Sequence, residues 1–207
     1  MGARVPLRRG PGRPRCHAAR PGDDAVTAGA TPSQTLGPFF TDALVDPGLA
    51  RATASPDAEA EPMRLEGRVL DADGSGVDDA LVELWRADPD HPDVTGDGHG
   101  WARSATDAEG GYRFWLPRPR PLPHPSAREQ APHVVVLVLA RGILDVLLTR
   151  AYPVEEPTVP DDPVLRRVPA ERRGTLLAVR DGEVDDVPRY RFDVRLQGPG
   201  ETVFFAL

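Results

Sequence analysis

Cysteine, lysine and long apolar runs are what this 207-residue chain has least of. Its single cysteine, Cys16, excludes an intramolecular disulfide framework and cysteine-rich zinc or iron–sulfur sites. No apolar run approaches the roughly 20 residues that span a bilayer, so the sequence predicts no transmembrane helix. Lysine and asparagine are absent and all 25 basic residues are arginine, which we interpret as the codon usage of a GC-rich genome.

Positive charge is also scarce beyond the N-terminus. The chain carries 25 arginines against 32 acidic residues, a net charge of −7. Six of those arginines and only two aspartates lie in residues 1–30, which leaves 19 arginines against 30 acidic residues in residues 31–207. An acidic body of this kind disfavours nucleic-acid binding, which requires a basic surface.

Composition divides the chain into three segments. Residues 1–30 have almost no large apolar residues, so we interpret them as a disordered basic leader, with a targeting or nucleic-acid-binding arm as the alternative. They lack the apolar stretch of a secretory signal, which favours a cytoplasmic protein. We interpret residues 31–62 as an N-terminal arm and connector, and residues 63–207 as a β-sandwich domain.

Short segments of alternating apolar and polar residues, separated by glycine and proline, fill residues 63–207. The predicted strands are MRLEGRVLD, ALVELWRA, both halves of WARSATDAEGGYRFWL, HVVVLVLARG, ILDVLLTRAY, LLAVRDG, RYRFDVRLQG and ETVFFAL. The run HVVVLVLARG predicts a central strand covered on both faces, and RPRPLPHPSAREQAP predicts a loop too rich in proline for strand pairing. With no amphipathic helix of three turns, the fold class is all-β: a two-sheet β-sandwich with long irregular loops.

Histidine and tyrosine are the residues best able to carry chemistry here. Four of the five histidines lie in the leader or in predicted loops, where solvated side chains are usual: His17, His91, His99 and His124. His133 opens an apolar strand, but the residue two positions on, which shares its face, is Val135. The tyrosines lie in or at the ends of strands, which favours core packing: Tyr112, Tyr152 and Tyr190. By themselves these residues indicate a sandwich without an active site of its own.

Several segments together resemble one enzyme family. TPSQTLGPFF, ALVELWRAD, DAEGGYRF, APHVVVLVLARGI, TRAYPVEE with DDPVL, and YRFDVRLQGPGETVFF occur in this order over about residues 31–207. The set resembles the intradiol ring-cleavage dioxygenases, and within them the alpha-type chains of protocatechuate 3,4-dioxygenases.

The resemblance implies a β-sandwich subunit that works in a pair. In this family the beta subunit of protocatechuate 3,4-dioxygenase holds Fe(3+) with two tyrosines and two histidines. With O2 the enzyme opens protocatechuate to 3-carboxy-cis,cis-muconate. Here Leu122 stands near one ligand tyrosine's position, the 88–100 loop has no tyrosine, and the histidine pair is reduced to His133 and Val135. The resemblance thus implies no metal ligands and no catalytic residues in this chain, with His133 a structural relic.

The same resemblance implies substrate contacts at the interface with the beta subunit. The family's T-x-G-P segment and the arginine of its A-R-G turn correspond here to Thr35, Gly37, Pro38, Phe39 and Arg141. Phe39 replaces a frequent tyrosine, which removes one hydrogen-bonding group. The alternatives are an edge segment for TPSQTLGPFF and a plain turn arginine for Arg141. For the whole chain, the alternatives are a non-enzymatic, transthyretin-like binding module and a self-sufficient dioxygenase. The missing metal ligands disfavour the second.

Overall fold

The computed structural model of the protein describes residues 34, 35, 37, 44–51, 61–87, 89, 100–125 and 128–206. These residues belong to one compact unit, Ser33–Leu207. The predicted leader, residues 1–30, lies outside the described residues, as do Pro38 and Phe39. No helix in the described part is long and apolar enough to cross a membrane.

Strands dominate the described residues, which confirms the all-β prediction. They are β1 (Pro62–Leu70), β2 (Ala80–Trp85), β3 (Trp101–Ala105), β4 (Gly111–Pro117), β5 (Leu122–Pro123), β6 (Glu129–Gln130), β7 (Val134–Ala140), β8 (Leu147–Pro153), β9 (Leu177–Val184), β10 (Val187–Arg191) and β11 (Val194–Arg195). Four short 3-10 helices complete the described elements: Pro47–Ala50, Val159–Asp161, Leu165–Arg167 and Ala170–Leu176.

Nine of the strands form one continuous sheet in the order β11-β1-β10-β9-β8-β7-β2-β3, with β4 also paired to β1. Its two halves, β4-β1-β10-β9 and β8-β7-β2-β3, are joined where Tyr152–Pro153 pair in parallel with Leu177–Ala178. Apolar side chains from both halves meet in a single buried cluster. The halves therefore pack face to face as the predicted sandwich, and β5 with β6 form a separate two-stranded sheet.

The alternation of β7 shows how this core is built. Val134, Val136, Val138 and Ala140 are buried in the shared cluster, whereas the three residues between them are only half-buried. The prediction that this strand is fully covered on both faces is therefore wrong for its outer face. The reason is that the outer cover lies over β8, where Tyr152 packs among residues of the 3-10 segments in a second cluster.

All three tyrosines are buried with satisfied hydroxyls, as predicted. The Tyr112 hydroxyl donates to the Phe192 carbonyl at 2.5 Å, that of Tyr190 to Glu155 Oε2 at 2.9 Å, and that of Tyr152 to Asp162 Oδ1 at 3.1 Å. Burial is the largest cause of a raised pKa in each phenol. These hydroxyls are therefore held neutral inside the fold.

Three details differ from the sequence prediction. Within its described residues, 201–206, the segment ETVFFAL forms only an isolated bridge between Phe205 and Leu148. Side-chain hydroxyls bond its backbone instead, such as that of Thr149, which donates to the Val203 carbonyl at 2.8 Å. RYRFDVRLQG splits into β10 and β11, since Asp193 Oδ1 accepts the Arg68 amide at 3.0 Å in place of a backbone carbonyl. The proline-rich loop contains the short β5–β6 pair.

Candidate functional site

The turn that follows β7 is the first part of the candidate site. Gly142 has a φ of +85°, a left-handed conformation that glycine adopts without strain, and the Ile143 amide donates back to the Ala140 carbonyl at 3.2 Å. The sequence prediction of a tight turn at Gly142 is confirmed. This turn leaves Arg141 at its apex, just beyond the strand.

Thr35 lies on this turn although it precedes it by more than 100 residues. Its Oγ1 accepts the Gly142 amide at 2.7 Å and donates to the Ala140 carbonyl at 3.4 Å. One hydroxyl thus holds the backbone on both sides of Arg141. The structure thus brings Thr35 next to the turn that carries Arg141, and their contact with substrate stays a prediction.

Arg141 is half-exposed, with 56% of its side chain accessible, and its Nε donates to Asp79 Oδ2. Asp79 immediately precedes β2, and Ala80 is paired with Ala140 in the antiparallel ladder. The aspartate and the arginine therefore face each other just beyond the ends of neighbouring strands. Asp79 is a residue that the sequence analysis missed, because an acid before a strand has no distinguishing local pattern.

The remaining predicted substrate residues are Gly37, Pro38 and Phe39. Gly37 is exposed, and a side chain built on it would meet no atom within 4 Å. Open space beside Gly37 is compatible with a ligand or a second chain at this point. Pro38 and Phe39 lie outside the described residues, so their substrate contacts stay a prediction.

His133 lies at the opposite end of β7. It is buried, its ring centroid is 5.3 Å from that of Tyr152, and its Nδ1 is 2.7 Å from the Ala131 carbonyl. Since a carbonyl only accepts, we assign the proton of the neutral ring to Nδ1. Burial, helped by the positive charge of Arg150, lowers the pKa of His133 to about 4. The imidazole is therefore neutral and packed as a core residue.

The residues around His133 do not fit a ferric ion. Val135 has no donor atom, and its cross-strand partner is Arg150, a fixed cation that would repel a metal ion. Arg150 Nη1 donates to Gln130 Oε1 at 2.8 Å and lies 3.4 Å from the Tyr152 hydroxyl. Within the described part of the chain, no three His, Cys, Asp or Glu side chains converge on a possible metal position.

The same end of the fold is fixed by Asp162, a fully buried acid. Its Oδ1 accepts the amides of Val164 and Leu165 at 2.9 and 2.8 Å and the Tyr152 hydroxyl, while its Oδ2 accepts the Ala131 amide at 2.8 Å. Four donors thus satisfy one buried carboxyl group, which fastens the 3-10 segments to the segment that leads into β7. A local signal existed, since an aspartate followed by proline commonly bonds the amides two and three residues on.

A cleft of about 460 Å³ also lies near this end, lined by Pro121, Arg128, Glu129, Gln130, Thr158, Asp161 and Arg166. Its two arginines are balanced by two acids, so its charge favours neither an anion nor a cation.

The two ends of β7 are far apart. His133 and Arg141 are eight residues from each other along an extended strand, which at about 3.3 Å per residue separates them by about 26 Å. The surface formed by Thr35 and Arg141 is therefore too distant to act on a group bound beside His133. Any ligand bound by Thr35 and Arg141 therefore lies far from His133 of the same chain.

Comparison with known proteins agrees with this architecture. Residues 36–198 match the protein family described as Dioxygenase. The protocatechuate 3,4-dioxygenase alpha chain of Burkholderia cepacia is 40% identical over 87% of this chain and 98% of its own length. The protocatechuate 3,4-dioxygenase beta chain of the same species is 30% identical over 69% of this chain and 67% of its own length. Catechol 1,2-dioxygenase of Acinetobacter sp. ADP1, solved with bound mercury, has a similar fold (TM-score 0.57, 19% identity, 70% of this chain), and this chain spans 55% of that one. This chain therefore belongs to the intradiol dioxygenase family.

Proposed function

We propose that this chain is the non-liganding alpha subunit of a protocatechuate 3,4-dioxygenase, working in the cytoplasm. It pairs with a beta subunit that holds Fe(3+), and the pair cleaves protocatechuate with O2 to 3-carboxy-cis,cis-muconate. The alpha chain of Burkholderia cepacia supports the assignment because it aligns over 98% of its own length. The beta-chain relative supports a partner of the same fold.

The observation that carries the proposal is the separation along β7. Thr35 and Arg141 form an ordered polar surface at one end, and the relic position with His133 lies about 26 Å away at the other. Beside His133, Val135 has no donor atom, and its cross-strand neighbour is the cation Arg150. A surface that binds substrate without a metal beside it requires a second chain to complete the site.

Arg141 is suited to the carboxylate of the substrate. Protocatechuate carries its carboxylate away from the two hydroxyls at which the ring is opened, so that group points away from the reacting end. A guanidinium offers five N–H donors in a planar fork that matches a carboxylate. We expect Arg141 to receive this group while Thr35 keeps the turn in place.

Replacing Arg141 tests this role. In the assembled two-chain enzyme we expect Arg141→Ala to raise KM for protocatechuate about tenfold, since a charged hydrogen bond is worth about 1.5–3 kcal/mol and the half-exposed side chain places it at the lower end. Catechol has no carboxylate, so its KM should change little, and Arg141→Lys should restore part of the loss. Equal changes for both substrates would make Arg141 a structural residue.

Co-expression tests the pairing itself. The partner to be co-expressed is a homologue with G-P-Y and H-x-H motifs, sought among the neighbouring genes. The readouts are iron content and ring cleavage for each chain alone and for both together. We expect iron in the samples that contain the partner, with ring cleavage by the two-chain complex. This chain alone should be colourless and inactive. Stoichiometric iron with activity in the isolated chain would overturn the proposal. An inactive co-purified complex would favour the binding-module alternative.

A further inference from the structure

Asp79 and Arg141 form a cross-strand pair beyond the ends of β2 and β7. The pairing of Ala80 with Ala140 places them opposite each other, and Arg141 Nε donates to Asp79 Oδ2. The aspartate side chain is 23% exposed against 56% for the arginine. The acid is thus the more enclosed member, and the arginine reaches outward from it.

The backbone that carries Asp79 is firmly held. The Ala80 amide donates to Thr106 Oγ1 at 3.0 Å, and the Thr106 amide donates to the Ala80 carbonyl at 2.9 Å. Thr106 is itself buried. Asp79 therefore projects from a fixed strand end, whereas Arg141 sits on a turn whose backbone is fastened by Thr35.

The bond to Asp79 uses only one of the five N–H donors of the guanidinium. It engages Nε, and within the described part of the chain no second side chain accepts a hydrogen bond from Arg141. One Nη N–H lies parallel to Nε–H on the side of Asp79, whereas the outer pair of parallel N–H groups, one on each Nη, points away at the end of the fork. This is the edge that would meet a carboxylate in two parallel hydrogen bonds.

We propose that Asp79 is the positioning residue for Arg141, which it holds in the rotamer that presents the Nη edge to the carboxylate of an aromatic acid. The inference rests on the proposed function and deepens it. Thr35 fixes the backbone of Arg141 and Asp79 fixes its side chain. A pre-ordered arginine loses less rotamer freedom on binding, which corresponds to about three- to tenfold in affinity.

The test uses the assembled two-chain enzyme and steady-state kinetics with protocatechuate and catechol. We expect Asp79→Ala to raise KM for protocatechuate about three- to tenfold with kcat and the KM for catechol unchanged. Asp79→Asn keeps an acceptor oxygen and the shape, so its effect should lie between wild type and Asp79→Ala. Asp78→Ala is the matched control, because Asp78 is the exposed neighbouring acid.

A double-mutant cycle separates this inference from the proposed function. If Asp79 acts through Arg141, Asp79→Ala should have no further effect in the Arg141→Ala background. A protocatechuate KM that stays constant or falls in Asp79→Ala, while Arg141→Ala raises it, would overturn the positioning role and leave the proposed function standing. The protocatechuate KM would fall if Asp79 merely competed with the substrate carboxylate for Arg141. Equal KM changes for both substrates in the Asp79 variants would also overturn it. An unchanged protocatechuate KM in Arg141→Ala would overturn both the positioning role of Asp79 and the carboxylate-binding role of Arg141.

Discussion

The buried His133 makes the stability of this protein depend on pH. Its pKa is lowered from the ordinary 6.5 to about 4, first by burial and then by the charge of Arg150, against the opposing effects of the Ala131 carbonyl and Asp162. In the unfolded chain the imidazole takes up a proton near pH 6.5, while the folded state resists protonation until about pH 4. Stability from the neutral ring is therefore complete above pH 6.5 and is lost as the pH falls towards 4.

The size of this effect follows from the difference between the two pKa values. Each pKa unit corresponds to about 1.4 kcal/mol, so the neutral ring accounts for a loss of about 3 kcal/mol by pH 4 and about 2 kcal/mol by pH 5. Other groups also titrate in this range, and a non-titrating variant is needed to remove their contribution. His133→Asn serves, because its amide nitrogen can donate to the Ala131 carbonyl as Nδ1 does in the wild type.

The assay is urea unfolding of wild type and His133→Asn at pH 7, 6 and 5. We expect the free energy of unfolding of the wild type to fall relative to the variant by about 2 kcal/mol between pH 7 and pH 5. The dependence of the free energy of unfolding on urea concentration should stay the same, which would show that only stability has changed. If the free energies of unfolding of wild type and variant change by the same amount between pH 7 and pH 5, His133 is not held neutral by burial and the explanation is refuted.

Two further substitutions test the core. Asp162→Ala leaves four donors without an acceptor, three of them in buried hydrogen bonds, and should lower the free energy of unfolding by about 3–5 kcal/mol, whereas the exposed Asp161→Ala should change it by less than about 0.5 kcal/mol, both measured by urea unfolding. Gly67→Ala places a Cβ 1.8 Å from the Phe192 carbonyl oxygen and should cost about 3 kcal/mol or prevent folding, while Gly174→Ala, with open space, should be neutral in a thermal melt. Equal effects within either pair would contradict the packing described.

Much of the fold could be predicted because strand patterning is local. In β2, Ala80, Val82 and Leu84 on one face are all buried, whereas the other face passes from buried Leu81 through half-buried Glu83 to exposed Trp85, so only the first face lies wholly in the core. The same period-2 rule predicts that His133 and Val135 share a face. Proline and glycine marked the ends of most strands for equally local reasons.

The errors arise where a distant group takes over a backbone hydrogen bond. ETVFFAL has the composition of a strand, yet Thr149 and Thr175 side chains bond its backbone at Val203. Asp193 breaks a strand in the same manner by accepting the Arg68 amide. No pattern within these segments distinguishes them from paired strands.

The amino-acid sequence by itself determined the all-β class, most of the strands, and a family resemblance that the comparisons confirmed. Only the tertiary structure decided that Thr35, Asp79 and Arg141 meet at one turn, since the contacts that join them span 62 residues for Asp79 and 107 from Thr35 to Gly142. Local spacing determines which face a side chain takes on its own strand. Which strand ends become neighbours depends on how the sheet is assembled, and that is set by the packing of the whole core.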